Sequence, residues 1–515
     1  MNTHYEDQRK TFCSEGTREH ILAELLVWAT EPSDGFHGCL ITGQPGAGKS
    51  TLAATLAQHL KEANILCAQY FICRCHPGTT DPHKLFPTIA VQLAEWSKLA
   101  RHVIAEAVDT VHADHLGSEQ VKSLLLQPLQ EMTKGSRMAV IIIDALDELD
   151  LELGRADENV STLLSILVAE LPMNVKIVIT ARPEASVTAQ PGIHGQTLQH
   201  ICKCVELSTK ESVDEVRKFI HQRMKEITPK RPEWRDWPTN QQLKMLSDKA
   251  DGLFHYAVTA TTWIASQIRT RGAACQQLSF FDEVSNLGVA SLDALYSFIL
   301  TQWSEETNKA LDHRFCQVVG YLIVLYTAPS IANIYFLLGI PETDFDLNNF
   351  FLQMRSLLLP GLDDVTDDTI PLMHKSFRDY ITSERCANQF HIKMEDAHLM
   401  TAKDCLHSII GGRGTMMQYP NEKWPDHLHS AMTSKGSWSS DTELTGLLEH
   451  MSNPQVFSRW IPRVSLSHAA EQLSYSRQRM MELSGDTKGG QIDVCVDYQC
   501  GNIILKVYRS LRWSI

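Results

Sequence analysis

The chain has 515 residues, and at about 150 residues per domain this suggests roughly three domains and excludes a single small module. Apolar residues make up 43% and charged residues 21%, close to ordinary globular usage, which excludes disordered, collagen-like and coiled-coil compositions. With 47 Lys and Arg against 61 Asp and Glu, the net charge of −14 gives no long-range pull toward nucleic acid or an anionic membrane, so neither is expected as a partner.

The 13 cysteines have no repeated spacing, and the N-terminus, MNTHYEDQRK, is charged without an apolar core. Reduced thiols and a cytoplasmic location are therefore expected. The uncharged stretch from Val318 to Ile340 is long enough to span a bilayer. Pro329, Ser330 and Asn333 interrupt it as a turn with an N-cap, so two short buried helices are predicted instead.

In chain order, residues 20–30 (HILAELLVWAT) carry helical periodicity and end at Pro32, Ser33, Asp34 and Gly35. Five short apolar runs follow, Cys39 to Thr42, Ile65 to Ile72, Val140 to Ile143, Val175 to Thr180 and Ile201 to Leu207. Their alternation with helical stretches predicts a parallel sheet with helices on both faces. From about residue 211 to 355 amphipathic runs such as Gln242 to Gln267 and Leu292 to Trp303 predict a helical bundle. Between Ser356 and Ile381, SLLLP and TIPLM flank the acidic turn GLDDVTDD. A hairpin with two helices before it and one after, starting near Lys375, predicts a winged-helix unit. Residues 391–483 again read as helical, so the C-terminal half is expected to be mainly α, and residues 485–515 carry no assignable pattern.

The strongest chemical signal is GQPGAGKS, Gly43 to Ser50, between a predicted strand and a predicted helix from Thr51 to Lys61. This is G-x-x-x-x-G-K-[ST] in its required setting. Gly43, Gln44, Pro45, Gly46, Ala47, Gly48, Lys49, Ser50 and Thr51 then form a phosphate cradle: the glycines turn backbone N–H groups inward and the helix adds the positive end of its dipole. Lys49 is expected to reach the terminal phosphates of ATP or ADP, with GTP left open, and Ser50 to ligate Mg²⁺. The run AVIIIDALDELD supplies the opposing Mg²⁺ carboxylate, Asp144, at a strand end. Asp147 and Glu148 follow where a carboxylate can activate water. Arg182, after the strand Val175 to Thr180, is a candidate γ-phosphate contact at the same sheet edge or, on the plainer reading, a salt-bridging surface arginine. Cys73, Cys75 and His76, and Cys202 with Cys204, lack a paired zinc-ligand spacing.

The P-loop, the DALDEL run and VITARPE together resemble the NACHT group of signal-transduction (STAND) P-loop NTPases. CSEGTREHILAELLVWA, LFPTIAVQLA, GLFHYAVTA, LDALYSFIL and LMHKSFRDYI resemble the fungal NLR-like set with a nephrocystin-like N-terminus. The resemblance covers about residues 13–390 and departs at Tyr70 to Arg74 (YFICR) and after residue 400. It implies a leader helix over 1–37, a NACHT NTPase domain over 38–210, a helical domain over 211–311 and a winged-helix-like domain over 312–390. A C-terminal helical region over 391–484 and the unassigned tail 485–515 follow. It further implies that His374 touches the phosphates of bound ADP, although a histidine capping the helix from Lys375 fits the sequence equally. Gly16, Thr17 and Arg18 are implied near the adenine.

The function so implied is a switch that binds ATP or ADP with Mg²⁺, hydrolyses slowly, and controls signalling or self-association with protein partners, in fungi linked to non-self recognition and cell death. A non-hydrolysing scaffold and an ordinary P-loop ATPase are the alternatives. Neither an N-terminal effector module nor the WD or ankyrin repeats of many relatives is visible in the sequence.

Overall fold

The structure, a computed structural model, describes residues 3–8, 10–31, 35–74, 77–108, 116–134, 137–149, 160–183, 197–272, 292–307, 312–327, 330–341, 343–358, 373–387, 389–411, 418–432 and 441–451, and the backbone of 491–499 and 502–510. The chain divides into two compact units. One comprises Met1–Ile299, Gln353–Asp363 and Met373–Phe377, the other Leu300–Leu352, Asp364–Leu372 and Arg378–Ile515.

In the first unit all five apolar runs are strands: β1 (Gly38–Gly43), β2 (Leu66–Phe71), β3 (Ala139–Asp144), β4 (Val175–Ala181) and β5 (Cys202–Leu207). They form one parallel sheet in the order β2-β3-β4-β1-β5. Strands β3 and β4 are buried along their whole length, which is why their sequences are nearly continuous apolar runs. Successive side chains point to opposite faces. Ile141, Ile143, Ile177 and Ile179 enter one core with residues of α3 (Leu85–Trp96), α4 (Lys98–Val108) and α5 (Val160–Glu170). Cys39, Ile41, Val140, Ile142 and Val178 enter the other with α1 (Glu19–Thr30) and α2 (Lys49–Glu62). Residues 3–8 lie along the edge strand β2, where the Phe71 N–H donates to the Thr3 carbonyl at 2.8 Å.

Because the strands are parallel, their carboxyl ends share one edge, and that edge receives the P-loop after β1, Asp144 at the end of β3 and Arg182 after β4.

Helices α6 (Thr209–Ile227), α7 (Asn240–Ala250) and α8 (Phe254–Arg271) follow. The run read as continuous from Gln242 to Gln267 is broken at Asp251 and Gly252, whose φ angles of 42° and 78° end α7 and let α8 start in a new direction. α9 (Leu292–Thr307) begins in this unit.

In the second unit, α10 (Asp312–Val324) and α11 (Ile331–Leu338) replace the candidate membrane span, and the Ser330 hydroxyl caps α11 by accepting from the Asn333 N–H at 3.2 Å. No helix among the described residues is long and apolar enough to cross a membrane. α12 (Leu347–Gln353) comes next, and α13 (Arg355–Leu358) belongs again to the first unit. Ser356 to Leu358, expected as a hairpin arm, are therefore helical, since a short leucine run suits a buried helical turn as well as a strand. The rest of the expected hairpin, 359–372, lies outside the described residues, as do Cys75 and His76. α14 (Lys375–Ile381), whose first residues Lys375–Phe377 belong to the first unit, is followed by α15 (Met394–Ile410), α16 (Gln418–Met432) and α17 (Thr442–Met451). Residues 491–499 and 502–510, left unassigned from sequence, pair as antiparallel strands β6 and β7. The alternation Ile492, Val494, Val496, Tyr498 was the available signal for them.

Candidate functional site

The loop after β1 turns on two glycines, Gly46 at φ 83° and Gly48 at φ 90°. Gly46 has a second constraint, because a Cβ there would lie 2.8 Å from the Cβ of His255. The loop carbonyl of Gly46 accepts from the His255 N–H at 3.1 Å. Lys49 and Ser50 open α2 directly after it. The Lys49 ammonium donates to the carbonyls of Gly43 at 2.6 Å and Gln44 at 3.1 Å. Burial lowers its pKa to about 8, although Asp147 and Asp144 pull the other way.

Asp144 is fully buried. Its Oδ1 accepts from the Thr180 hydroxyl at 2.6 Å, which in turn accepts from the Ala145 N–H at 2.8 Å. Its Oδ2 has no hydrogen-bond partner, and the Lys10 ammonium stands 3.9 Å from it. A buried carboxylate oxygen left for a cation fits Mg²⁺; Ser50, the other expected ligand, stands in the first turn of α2. Mg²⁺ keeps several water or phosphate oxygens of its own, which suits a site where no three His, Cys, Asp or Glu side chains gather among the described residues. Ala145, at φ 60°, then turns the chain out of β3 into a single helical turn that raises Asp147 and Glu148 at the sheet edge.

These two carboxylates differ. Asp147 accepts from the Lys375 ammonium at 2.5 Å and from the Arg182 N–H at 3.2 Å, and the Arg182 Nε lies 3.3 Å away. Burial opposes its charge, but Lys375 and Arg182 outweigh burial and its pKa is lowered. Glu148 accepts from the Arg74 N–H at 3.2 Å and has Lys375 at 3.8 Å. Burial dominates there and raises its pKa. Arg182, a candidate for the γ-phosphate, is thus paired with Asp147.

His374 stacks on His255 with ring centres 3.6 Å apart and planes 17° from parallel. Its Nδ1 accepts from the Ser376 N–H at 3.2 Å, so it does cap α14. Burial, then His255, Lys10, Lys49 and Arg182 in that order, lowers its pKa well below the usual value. In the leader segment, Gly16 is at φ 78° and the Thr17 hydroxyl donates to Ser14. The Arg18 guanidinium donates to the Ala47 carbonyl of the P-loop at 3.0 Å and lies over the Phe254 ring at 5.2 Å. The structure therefore gathers the P-loop, Asp144, Asp147, Glu148, Arg182, Arg18 and the His374 segment within one unit. Sequence reasoning missed Lys10, His255 and Lys375. Lys375 adjoins the candidate His374, but nothing in its spacing points to a partner 228 residues upstream.

Residues 16–182 match the family described as nephrocystin 3, N-terminal. Over these residues, which hold the P-loop, Asp144 and Arg182, the chain is similar to that family. No curated protein sequence matches the chain. Among solved structures, the chain is similar to a STAND protein with a tetratricopeptide repeat sensor from Pyrococcus horikoshii, at 13% identity and a TM-score of 0.42 over 92% of this chain and 56% of that one. The chain thus spans little more than half of that protein's length. It is also similar to Cdc6p from Pyrobaculum aerophilum (12% identity, TM-score 0.32, 72% of this chain and 94% of that one). The Drosophila ORC bound to DNA is similar at 12% identity and a TM-score of 0.32, over 72% and 86% of the two chains.

Proposed function

We propose that the chain is a nucleotide-operated switch that holds ADP with the site closed, exchanges it for ATP with Mg²⁺, and hydrolyses slowly. The observation that carries this reading is the Lys375 ammonium on Asp147 and beside Glu148. In a site built for rapid turnover, a carboxylate faces the attacking water; here both are turned toward a lysine from α14. Mg²⁺, when bound, would neutralise developing phosphate charge, and Asp144 and Ser50 would hold it. The P-loop amides and Lys49 bind the phosphates, Arg18 braces the loop through Ala47, and His374 donates to a phosphate oxygen. A nucleotide moves such an equilibrium only by its differential affinity for the two states, and contacts from His374 and Lys375 made in one state provide that difference.

The boundaries 38–210, 211–311, 312–390 and 391–484 serve as the working domain division. Signalling through self-association or a protein partner, in the manner of the fungal NLR-like set in non-self recognition or cell death, is the role that the resemblance supports. The net charge of −14 favours a protein partner over nucleic acid.

Denaturing freshly purified protein and chromatographing the released nucleotide tests the reading. ADP near one equivalent per chain is expected. An empty site with steady ATP turnover would favour an ordinary ATPase, and neither binding nor turnover would favour a scaffold. Replacing Lys375 by Met should speed both ADP release and ATP turnover about tenfold, the scale of one charged hydrogen bond. Unchanged rates would remove Lys375 from the mechanism.

A further inference from the structure

The reading above needs His374 to donate a hydrogen bond, and the contacts around it determine which ring nitrogen carries the proton. The Ser376 N–H can only donate, and it meets His374 Nδ1 at 3.2 Å, so Nδ1 is unprotonated and a neutral ring carries its hydrogen on Nε2. The Ser376 hydroxyl is 2.7 Å from the same Nδ1 and must donate to it. Its single hydrogen being used, that oxygen accepts from the Tyr296 hydroxyl at 2.7 Å. Tyr296, having given its own hydrogen, accepts from His255 Nε2 at 2.8 Å. The direction of every bond follows from the backbone donor at one end.

The ring of contacts closes on itself, since His255 stacks on His374 at 3.6 Å and its own N–H donates to the P-loop carbonyl of Gly46. All four side chains belong to the first unit. His255 and Tyr296 are buried, so water does not compete well for these bonds.

We propose that His255, Tyr296 and Ser376 are positioning residues that hold His374 as the Nε2–H tautomer, aimed as a donor to a nucleotide phosphate, and tie it to the P-loop. The inference rests on the reading of His374 as a phosphate contact. Ser376, Tyr296 and His255 are assigned no contact with the ligand; each acts through the next. The arrangement gives a neutral ring one fixed donor edge, and a neutral donor serves a phosphate without depending on a proton from solvent.

The test is nitrogen NMR of the histidine-labelled full chain, with ADP bound and after its removal, together with ADP affinity. In the wild type, His374 should show a protonated Nε2 and an unprotonated, hydrogen-bonded Nδ1 in both states. Ser376→Ala, which leaves only the longer backbone bond on Nδ1, and Tyr296→Phe should each bring up the second tautomer and weaken ADP binding about fivefold. Ser376→Thr, which keeps the hydroxyl, should restore both. A protonated Nδ1 in the wild type, or variants with unchanged ring signals and affinity, would overturn the proposal. His374→Ala separates it from the parent reading: unchanged ADP affinity there would remove the phosphate contact, while the tautomer signals would still report whether the relay exists.

Discussion

Lys49→Ala should weaken ADP binding about a hundredfold, roughly what two charge-assisted hydrogen bonds to phosphate contribute. The more diagnostic result is the pH profile. In the nucleotide-free site burial holds the Lys49 pKa near 8, and a bound phosphate stabilises the ammonium form, raising it. Below about pH 7 the lysine is charged before and after binding, so affinity is flat there. Above pH 8 the free site has lost the proton and binding must take one up, so affinity should fall about tenfold per pH unit until the bound-state pKa is reached. Calorimetric titration with ADP between about pH 7 and 9.5 checks this. Lys49→Arg, charged throughout that range, should flatten the profile while keeping much of the affinity. A wild-type profile that is already flat would mean that Lys49 does not carry the phosphate charge.

Glu148→Gln should lower ATP turnover by about a hundredfold to ten-thousandfold, the usual contribution of a general base, with ADP and ATP affinity nearly unchanged. The choice of Glu148 over Asp147 follows from their surroundings. Asp147 is engaged by Lys375 and Arg182, and its lowered pKa makes it a weak base. Glu148 is half-buried, and desolvation raises its pKa, nearer the value a base needs. Wild-type turnover should accordingly fall, as pH is lowered, sooner than an ordinary glutamate would allow, because the base acts only when ionised. Asp147→Asn should have the opposite sign: it removes the partner that holds Lys375, and turnover should rise or stay level. Loss of turnover in Asp147→Asn with retention in Glu148→Gln would exchange the two roles.

The sheet was legible because its strands are buried on both faces and so carry their signal in consecutive residues; AVIIID and VKIVITA read as strands without any knowledge of their neighbours. The P-loop was legible for a related reason. A phosphate cradle is made by contiguous backbone, so Gly46, Gly48, Lys49 and Ser50 must stand at fixed spacing. The break at Asp251 and Gly252 was harder, because an amphipathic run on either side keeps the same period.

Local sequence thus determined the five strands, the glycine turns of the loop after β1 and the strand-end carboxylates, all of which depend on residues adjacent in the chain. Only the tertiary structure decided that Lys375 lies on Asp147 and that Lys10 faces Asp144. It likewise decided that His255 stacks on His374 beneath Gly46. Such pairings depend on distance in space and on exclusion of water, and a single lysine or histidine 100 or more residues away leaves no periodic trace of its partner.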